Sequence, residues 1–298
     1  MDFKTELEKR VENANCAIQK YLPVNADHIG TLTEAMRYSV MAGGKRLRPI
    51  MMRECCFIFG GKDDDVQPFQ AAMEFIHTSS LIHDDLPAID NSQYRRGKET
   101  THYKFGEPLG ILSGDALLNY AYEVLTDGVI AAKNTTGALK AAKIISAKSG
   151  YKGMLGGQDV DVETEKKGLN GEKHEVLSYI YEKKTAALFE ASMMAGAALA
   201  GADDDALALL EKAGHSMGIA FQIQDDILDV TGEADKLGKP VLSDEKNGKD
   251  TYVSLFGLDE AKNKVKQLTD EAVAVIETFG ENAGFLKKLM LYLISREM

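Results

Sequence analysis

Apolar residues recur at helical spacing along almost the whole chain, and the alternation of apolar and polar residues that marks a strand is scarce. A chain patterned this way hides its apolar stripes by packing helix on helix, which confines it to an all-α architecture. Composition agrees, since good helix formers are abundant, Trp is absent and only 6 prolines interrupt 298 residues. Breaks are expected at Pro23–Asn25, Gly60–Asp65, Arg95–Pro108, Asn134–Gly137, Glu163–Gly171, Gly201–Asp205 and Thr231–Lys249, each rich in Gly, Asp, Asn or Pro. No Ser/Gly- or Pro-rich linker and no short repeat divides the chain. Residues 1–298 are therefore read as one domain of roughly ten or more helices, larger than a four-helix bundle.

Charge and cysteine content narrow the function classes. A net charge of −11 without a long basic run argues against nucleic acid as a partner. Cys16, Cys55 and Cys56 have neither zinc-ligand spacing nor a disulfide pattern, which suits a reducing cytoplasm. Cys55 and Cys56 lie in an apolar stretch and read as core. The N-terminus alternates charge with apolar residues, unlike a signal peptide, and no lipidation box closes the chain. The most membrane-like run, Ala186–Ala202, is built of small residues and carries Glu190, so a close-packed buried helix is expected there rather than a span.

Chemistry shows first in FQIQDDILDV. Gln222, Asp225, Asp226 and Asp229 stand at spacings 0, 3, 4 and 7, which puts them on one helical face. That spacing normally describes an apolar stripe, and here it carries three carboxylates among Phe221, Ile223, Ile227 and Leu228. Like charges at i,i+4 and their desolvation both cost stability, and a divalent cation would relieve both. A solvated acidic face would account for this one cluster equally well.

A second acidic cluster lies in HDDLPAID. His77 and Asp84 are seven apart and share a face, while Pro87 should end the helix just past Asp85. The resulting bend would let Asp90 swing back towards Asp84. His77 alone reads as readily as a satisfied core histidine, and His83 suggests no role. Cations surround these clusters: Lys45 and Arg48 in GGKRLRP, a diphosphate clamp behind two flexible glycines; Arg95 and Arg96 in RRGK; Lys184 beside Thr185; and Lys239 and Lys249 after the second cluster. Each pair by itself is an ordinary surface feature. Interleaved with two Asp clusters, they imply two acidic metal sites, at least two cationic pockets and two anionic substrates. No GxSxG elbow, P-loop or dinucleotide fingerprint competes, and Gly156-Gly157 reads as close packing or a bend.

GGKRLRP, DDLPAID followed by RRG, Gly114-Asp115, GGQ at Gly156–Gln158, Lys184-Thr185, FQIQDDILD and GKP at Gly238–Pro240 occur in one order along nearly the whole chain. In that order they resemble the polyprenyl synthetase family, of the bacterial farnesyl or geranylgeranyl diphosphate synthase type. The resemblance implies the all-α isoprenoid synthase fold around a central cavity, a homodimer, and condensation of isopentenyl diphosphate with an allylic diphosphate (dimethylallyl, geranyl or farnesyl). It implies that Asp84, Asp85, Asp90, Asp225, Asp226 and Asp229 hold three Mg²⁺ on the allylic diphosphate, which Arg95, Lys184, Lys239 and Lys249 also bind. Lys45, Arg48, His77 and Arg96 would take isopentenyl diphosphate. Thr185, Gln222 and the Lys184 carbonyl would steady the allylic cation, and pyrophosphate would remove the proton.

Two departures touch no implied ligand: Asn91-Ser92-Gln93 replaces a stretch that is often more acidic, and Ala186 follows Lys184-Thr185 where Gly is common. Five residues before Asp84, where related farnesyl synthases often carry Tyr, stands Ser79, with Ser80 beside it. Small side chains there favour geranylgeranyl diphosphate (C20) over farnesyl diphosphate (C15). A non-catalytic partner subunit would carry degraded Asp motifs, and a terpene cyclase or head-to-head synthase would lack the GGKRLRP and RRG segments.

Overall fold

A computed structural model describes residues 2–167, 172–232 and 250–295. The first half contains α1 (Phe3–Lys20), α2 (Gly30–Val40), α3 (Leu47–Ile58), α4 (Asp63–Asp84), α5 (Thr101–Phe105), α6 (Glu107–Ala131) and α7 (Thr135–Ser149). The second half contains α8 (Met154–Lys167), α9 (Lys173–Ile180), a π-helical segment (Tyr181–Ala186), α10 (Ala187–Leu199), α11 (Asp204–Thr231), α12 (Tyr252–Phe256), α13 (Leu258–Glu277) and α14 (Gly284–Ser295). Among the described residues, strand occurs only in a two-residue hairpin, β1 (Tyr94–Arg95) against β2 (Lys98–Glu99). The architecture is all-α, as the spacing of apolar residues predicts.

Several expected breaks are helix starts. Asn134 accepts the Gly137 amide to cap α7, and Asp203 accepts the Ala206 amide at 2.9 Å to cap α11. The expected loop from Arg95 to Pro108 is less irregular than its composition suggests: it holds most of the hairpin, all of α5 and the first two residues of α6. Across the first part of the break expected from Glu163, α8 runs on to Lys167.

Twelve of the thirteen residues of α10 are buried, as an all-round apolar helix must be. It is surrounded by α3, α7 and α11, and forms the centre of the main core with Met52, Phe75, Phe189 and Met193. Its one carboxylate, Glu190, is neutralised in place by Lys148 of α7 and by His215 Nδ1 of α11 at 2.9 Å. The membrane-like run is thus a buried helix, and no helix among the described residues is long and apolar enough to cross a membrane. Farther along, α13 buries Ala261, Val265, Leu268, Ala272 and Ile276, one amphipathic face laid against α11. Each large aliphatic side chain buried there stabilises the fold by about 1.5–3 kcal/mol. α4, α8, α11 and the π segment are thereby held around a common hollow.

Candidate active site

The hollow is a cavity of about 730 Å³, walled by the loop before α3, by α4, α8 and α11, and by the π segment leading into α10. Its polar lining includes Lys45, Arg48, His77, Ser80, Asp84, Arg95, Arg96, Lys184, Thr185, Gln222 and Asp225. Residues separated by up to 180 positions therefore meet on one wall.

The α4 side is shaped by the bend that Pro87 imposes. α4 stops at Asp84, and the chain turns so that the Asp90 amide donates to the Asp84 carbonyl at 2.9 Å. Asp84 faces the cavity and accepts a hydrogen bond from Gln158 Nε2 on α8. Burial raises the Asp84 carboxyl above the usual range, with neighbouring Asp90 and Asp161 adding to the rise and Lys184 and Arg95 opposing it. Asp85 turns away from the cavity and is held by Arg95, whose Nε donates at 2.9 Å and Nη2 at 2.7 Å.

Opposite, the α11 row divides. Gln222 and Asp225 line the cavity, whereas Asp226 borders a smaller recess of about 110 Å³. Asp226 accepts from the Tyr181 hydroxyl, from the Tyr252 amide at 3.0 Å and from Gln222 Nε2 at 3.3 Å. Asp229 is buried and lines neither space. The Thr185 hydroxyl donates to Gln222 Oε1 at 2.8 Å, which fixes the Gln222 amide between Thr185 and Asp226.

Lys184 and Thr185 lie inside the π segment, a ladder defect of the kind that often marks functional positions. α8 presses on this segment at Gly157, where a Cβ would come within 2.2 Å of the Lys184 amide nitrogen. Gly157 is therefore required for close approach, and Gly156-Gly157 is close packing. Lys184 Nζ pairs with Asp161 Oδ2 at 2.6 Å.

The cationic end begins where Gly43 and Gly44 take φ of 98° and 133°. A Cβ on Gly44 would lie 2.6 Å from Arg96 Nη1, and that guanidinium donates to the Gly43 carbonyl. Arg46, absent from the sequence-based list of ligands, adopts φ 50°, is buried with Glu74 at 2.5 Å, and also donates to Asn15 and the Val40 carbonyl. Its neighbours Lys45 and Arg48 face the cavity. Burial pushes the Arg48 guanidinium down to about 10, with Glu74 and Asp225 opposing and Arg96 assisting, so it stays charged at neutral pH. The His77 imidazole lies 3.4 Å from Arg48 Nη1, and burial together with Arg48, Arg96, Arg95 and Arg46 drives its pKa well below the ordinary value. His77 is thus a neutral hydrogen-bonding group and not a further cation. Among the described residues, neither Arg48 nor Arg96 is ion-paired with a carboxylate, which leaves this end suited to an anion.

Several sequence-derived residues fall elsewhere. Ser80 lines the cavity, but Ser79 is buried, donates to the Ile76 carbonyl and is not on the cavity wall. Asp85, Asp226 and Asp229 are likewise off that wall, and Asp90 is brought near Asp84 through its backbone. Lys239 and Lys249 lie outside the described residues. Gln158, Asp161, Tyr181 and His83 were missed as contacts. Gln158 was visible as the last residue of GGQ, whereas His83, which lines the cavity and bonds the Ile111 carbonyl, left no signal.

Among the described residues no three His, Cys, Asp or Glu side chains converge tightly enough to hold an ion alone. Two hard-oxygen donors, Asp84 and Asp225, instead face one cavity that also bears cations. That donor set fits Mg²⁺, which takes one or two carboxylates and completes its shell with water and phosphate oxygens.

The family model described as polyprenyl synthetase matches residues 30–284. The chain is 42% identical to dimethylallyltranstransferase of Fischerella ambigua over 293 residues, covering 97% of this chain and 82% of that protein. It is 38% identical to farnesyl diphosphate synthase of Escherichia coli over 300 residues, covering 99% of each. Its fold superposes with a TM-score of 0.81 on geranyltransferase from Helicobacter pylori complexed with magnesium and isoprenyl diphosphate, at 31% identity and covering 97% of this chain and 96% of that one.

Proposed function

The chain belongs to the polyprenyl synthetase family and is a prenyltransferase, and from that premise we propose how its cavity divides the work. It condenses isopentenyl diphosphate with an allylic diphosphate. The observation that carries the division is the meeting of Asp84 and Asp225 with the Lys45, Arg48 and Arg96 end on one cavity. Isopentenyl diphosphate takes the cationic end, where Lys45, Arg48 and Arg96 supply charge and neutral His77 supplies a hydrogen bond. The allylic diphosphate takes the other end, against Lys184 and Arg95. Asp84, Asp90 and Asp225 would hold Mg²⁺, three ions in all with substrate. When bound, Mg²⁺ stabilises the negative charge gathering on departing pyrophosphate.

The protein's own atoms steady the other half of that charge separation. The Thr185 hydroxyl directs its hydrogen at Gln222, so its lone pairs remain for the allylic cation, which the Lys184 carbonyl would also steady. The isopentenyl double bond attacks this cation, and pyrophosphate removes the proton. Leu81, Met154, Leu188 and Phe221 give the growing chain an apolar, water-poor wall. The small Ser80 on that wall supports a C20 product over C15.

Leu155 is 45% exposed although it also belongs to the cavity wall, and Ile111 and Leu112 of α6 are exposed as well. These exposed apolar side chains support a homodimer, in which a second copy would cover them. The shared cavity walls support one domain over 1–298, and the free thiols support a cytoplasmic location. The test supplies the purified protein with labelled isopentenyl diphosphate, Mg²⁺ and each allylic primer in turn, and resolves products by chain length. A C20 product is expected; no elongation with any primer would overturn the assignment, and a C15 end point would overturn the length.

A further inference from the structure

We propose that Asp161 is a positioning residue which holds the Lys184 ammonium as a stand-in for diphosphate and gives it up when diphosphate binds. The inference rests on the reading of Lys184 as a diphosphate ligand.

Lys184 borders both the large cavity and the adjoining recess, whereas Asp161 borders only the recess. The 2.6 Å ion pair therefore draws Nζ towards the recess and away from the space in which the substrate anion would lie. Both side chains are sheltered, at 16% exposure for Asp161 and 28% for Lys184, so the pair is screened less than one on the surface.

The main chain of Lys184 is fixed by other means. Gly157 of α8 presses on the Lys184 amide, and a Cβ on Gly218 of α11 would lie 2.4 Å from Ala186 Cα, so two helices clamp the π segment. Asp161 is not needed to place the backbone; it sets where the ammonium rests. Three residues earlier on the same face of α8, Gln158 donates to Asp84. One helical face thus restrains a cation and a carboxylate of the same site before substrate arrives.

A competing counterion of this kind weakens the hold on diphosphate and speeds its departure. With its charge removed, pyrophosphate should bind about fivefold more tightly, the factor that corresponds to about 1 kcal/mol for one ion pair.

The test is calorimetric titration of the full chain with inorganic pyrophosphate at saturating Mg²⁺. It compares wild type, Asp161→Asn, Lys184→Met and the double variant. Tightening in Asp161→Asn that vanishes in the Lys184→Met background is expected, and Asp161→Glu should match wild type. Equal or weaker binding by Asp161→Asn would overturn the proposal, as would the same tightening without Lys184, because a merely structural role is blind to that lysine. Should the Asn variant fail to fold, Asp161→Ser gives the same comparison. If wild type itself does not bind pyrophosphate, the functional reading beneath the proposal falls with it.

Discussion

Replacing Gly157 by Ala would put a methyl group where the neighbouring atoms are backbone. The added Cβ would lie 2.2 Å from the Lys184 amide nitrogen and 2.7 Å from the Lys183 carbonyl carbon, whereas ordinary contact begins near 3.4 Å. α8 and the π segment would therefore have to part by roughly an ångström, since close-packed backbone does not compress. Overpacking of this kind costs about 1–3 kcal/mol of stability. The kinetic loss should be larger in proportion, because the shift separates Lys184 and Thr185 from Gln158 and Asp84. A misplacement of about 1 Å costs on the order of a hundredfold in rate. The assay is steady-state prenyl transfer at saturating substrates, with circular dichroism and a thermal melt on the same preparation. A fall in kcat of about a hundredfold at unchanged helical content is expected. Gly30→Ala, with nothing within 4 Å of its new methyl, should keep full activity. A folded Gly157→Ala enzyme with wild-type kcat would refute the reasoning.

Other substitutions probe separate parts of the molecule. Asp84→Ala and Asp225→Ala should each abolish turnover without changing helical content; activity surviving in both would remove the metal assignment. Ser80→Tyr should shorten the product, while Ser79→Tyr, at a buried position off the cavity, should chiefly destabilise the fold; product analysis beside a melt separates the two. Glu74→Ala leaves the buried Arg46 charge without its carboxylate and should cost about 3–5 kcal/mol in urea unfolding. Lastly, the hydrogen bond to Glu190 raises the His215 pKa against the opposing effect of burial, so the folded state holds that proton more tightly than the unfolded one. The stability gained is fully present below the unfolded value near 6.5 and is lost as pH rises through the raised folded value. His215→Gln should flatten stability across that window, and an unchanged pH profile would count against the pairing.

Much of the site was legible because its chemistry depends on residue type at helical spacing. Pro87 announces the bend that returns Asp90 to Asp84, and glycines before Arg48 announce a backbone that L side chains avoid. The division of the α11 row was not legible. Asp225 and Asp226 share a broad face, yet one residue rotates a helix by about 100°, enough to aim the first at the cavity and the second at Tyr181. Ser79 and Ser80 pose the same problem: the family pattern names a position, and the local rotation of α4 decides which side chain meets the hollow. The Arg46–Glu74 pair joins residues 28 apart and is invisible to any local pattern.

The π segment also has a consequence for how far this chain tolerates length changes. α9, the π segment and α10 run on without an intervening loop, so removing one residue between Tyr181 and Ala186 would restore ordinary α-helical hydrogen bonding. An i→i+5 turn takes up more residues than an α turn, so the extra residue is absorbed locally and the helices on either side keep their phase. Leu177 and Ile180 would stay in the core they share with Ile223 and Val265, while Lys184 and Thr185, which stand in the wide turn, would lose their present placement. A chain shortened here would keep its fold and give up the setting of those two side chains.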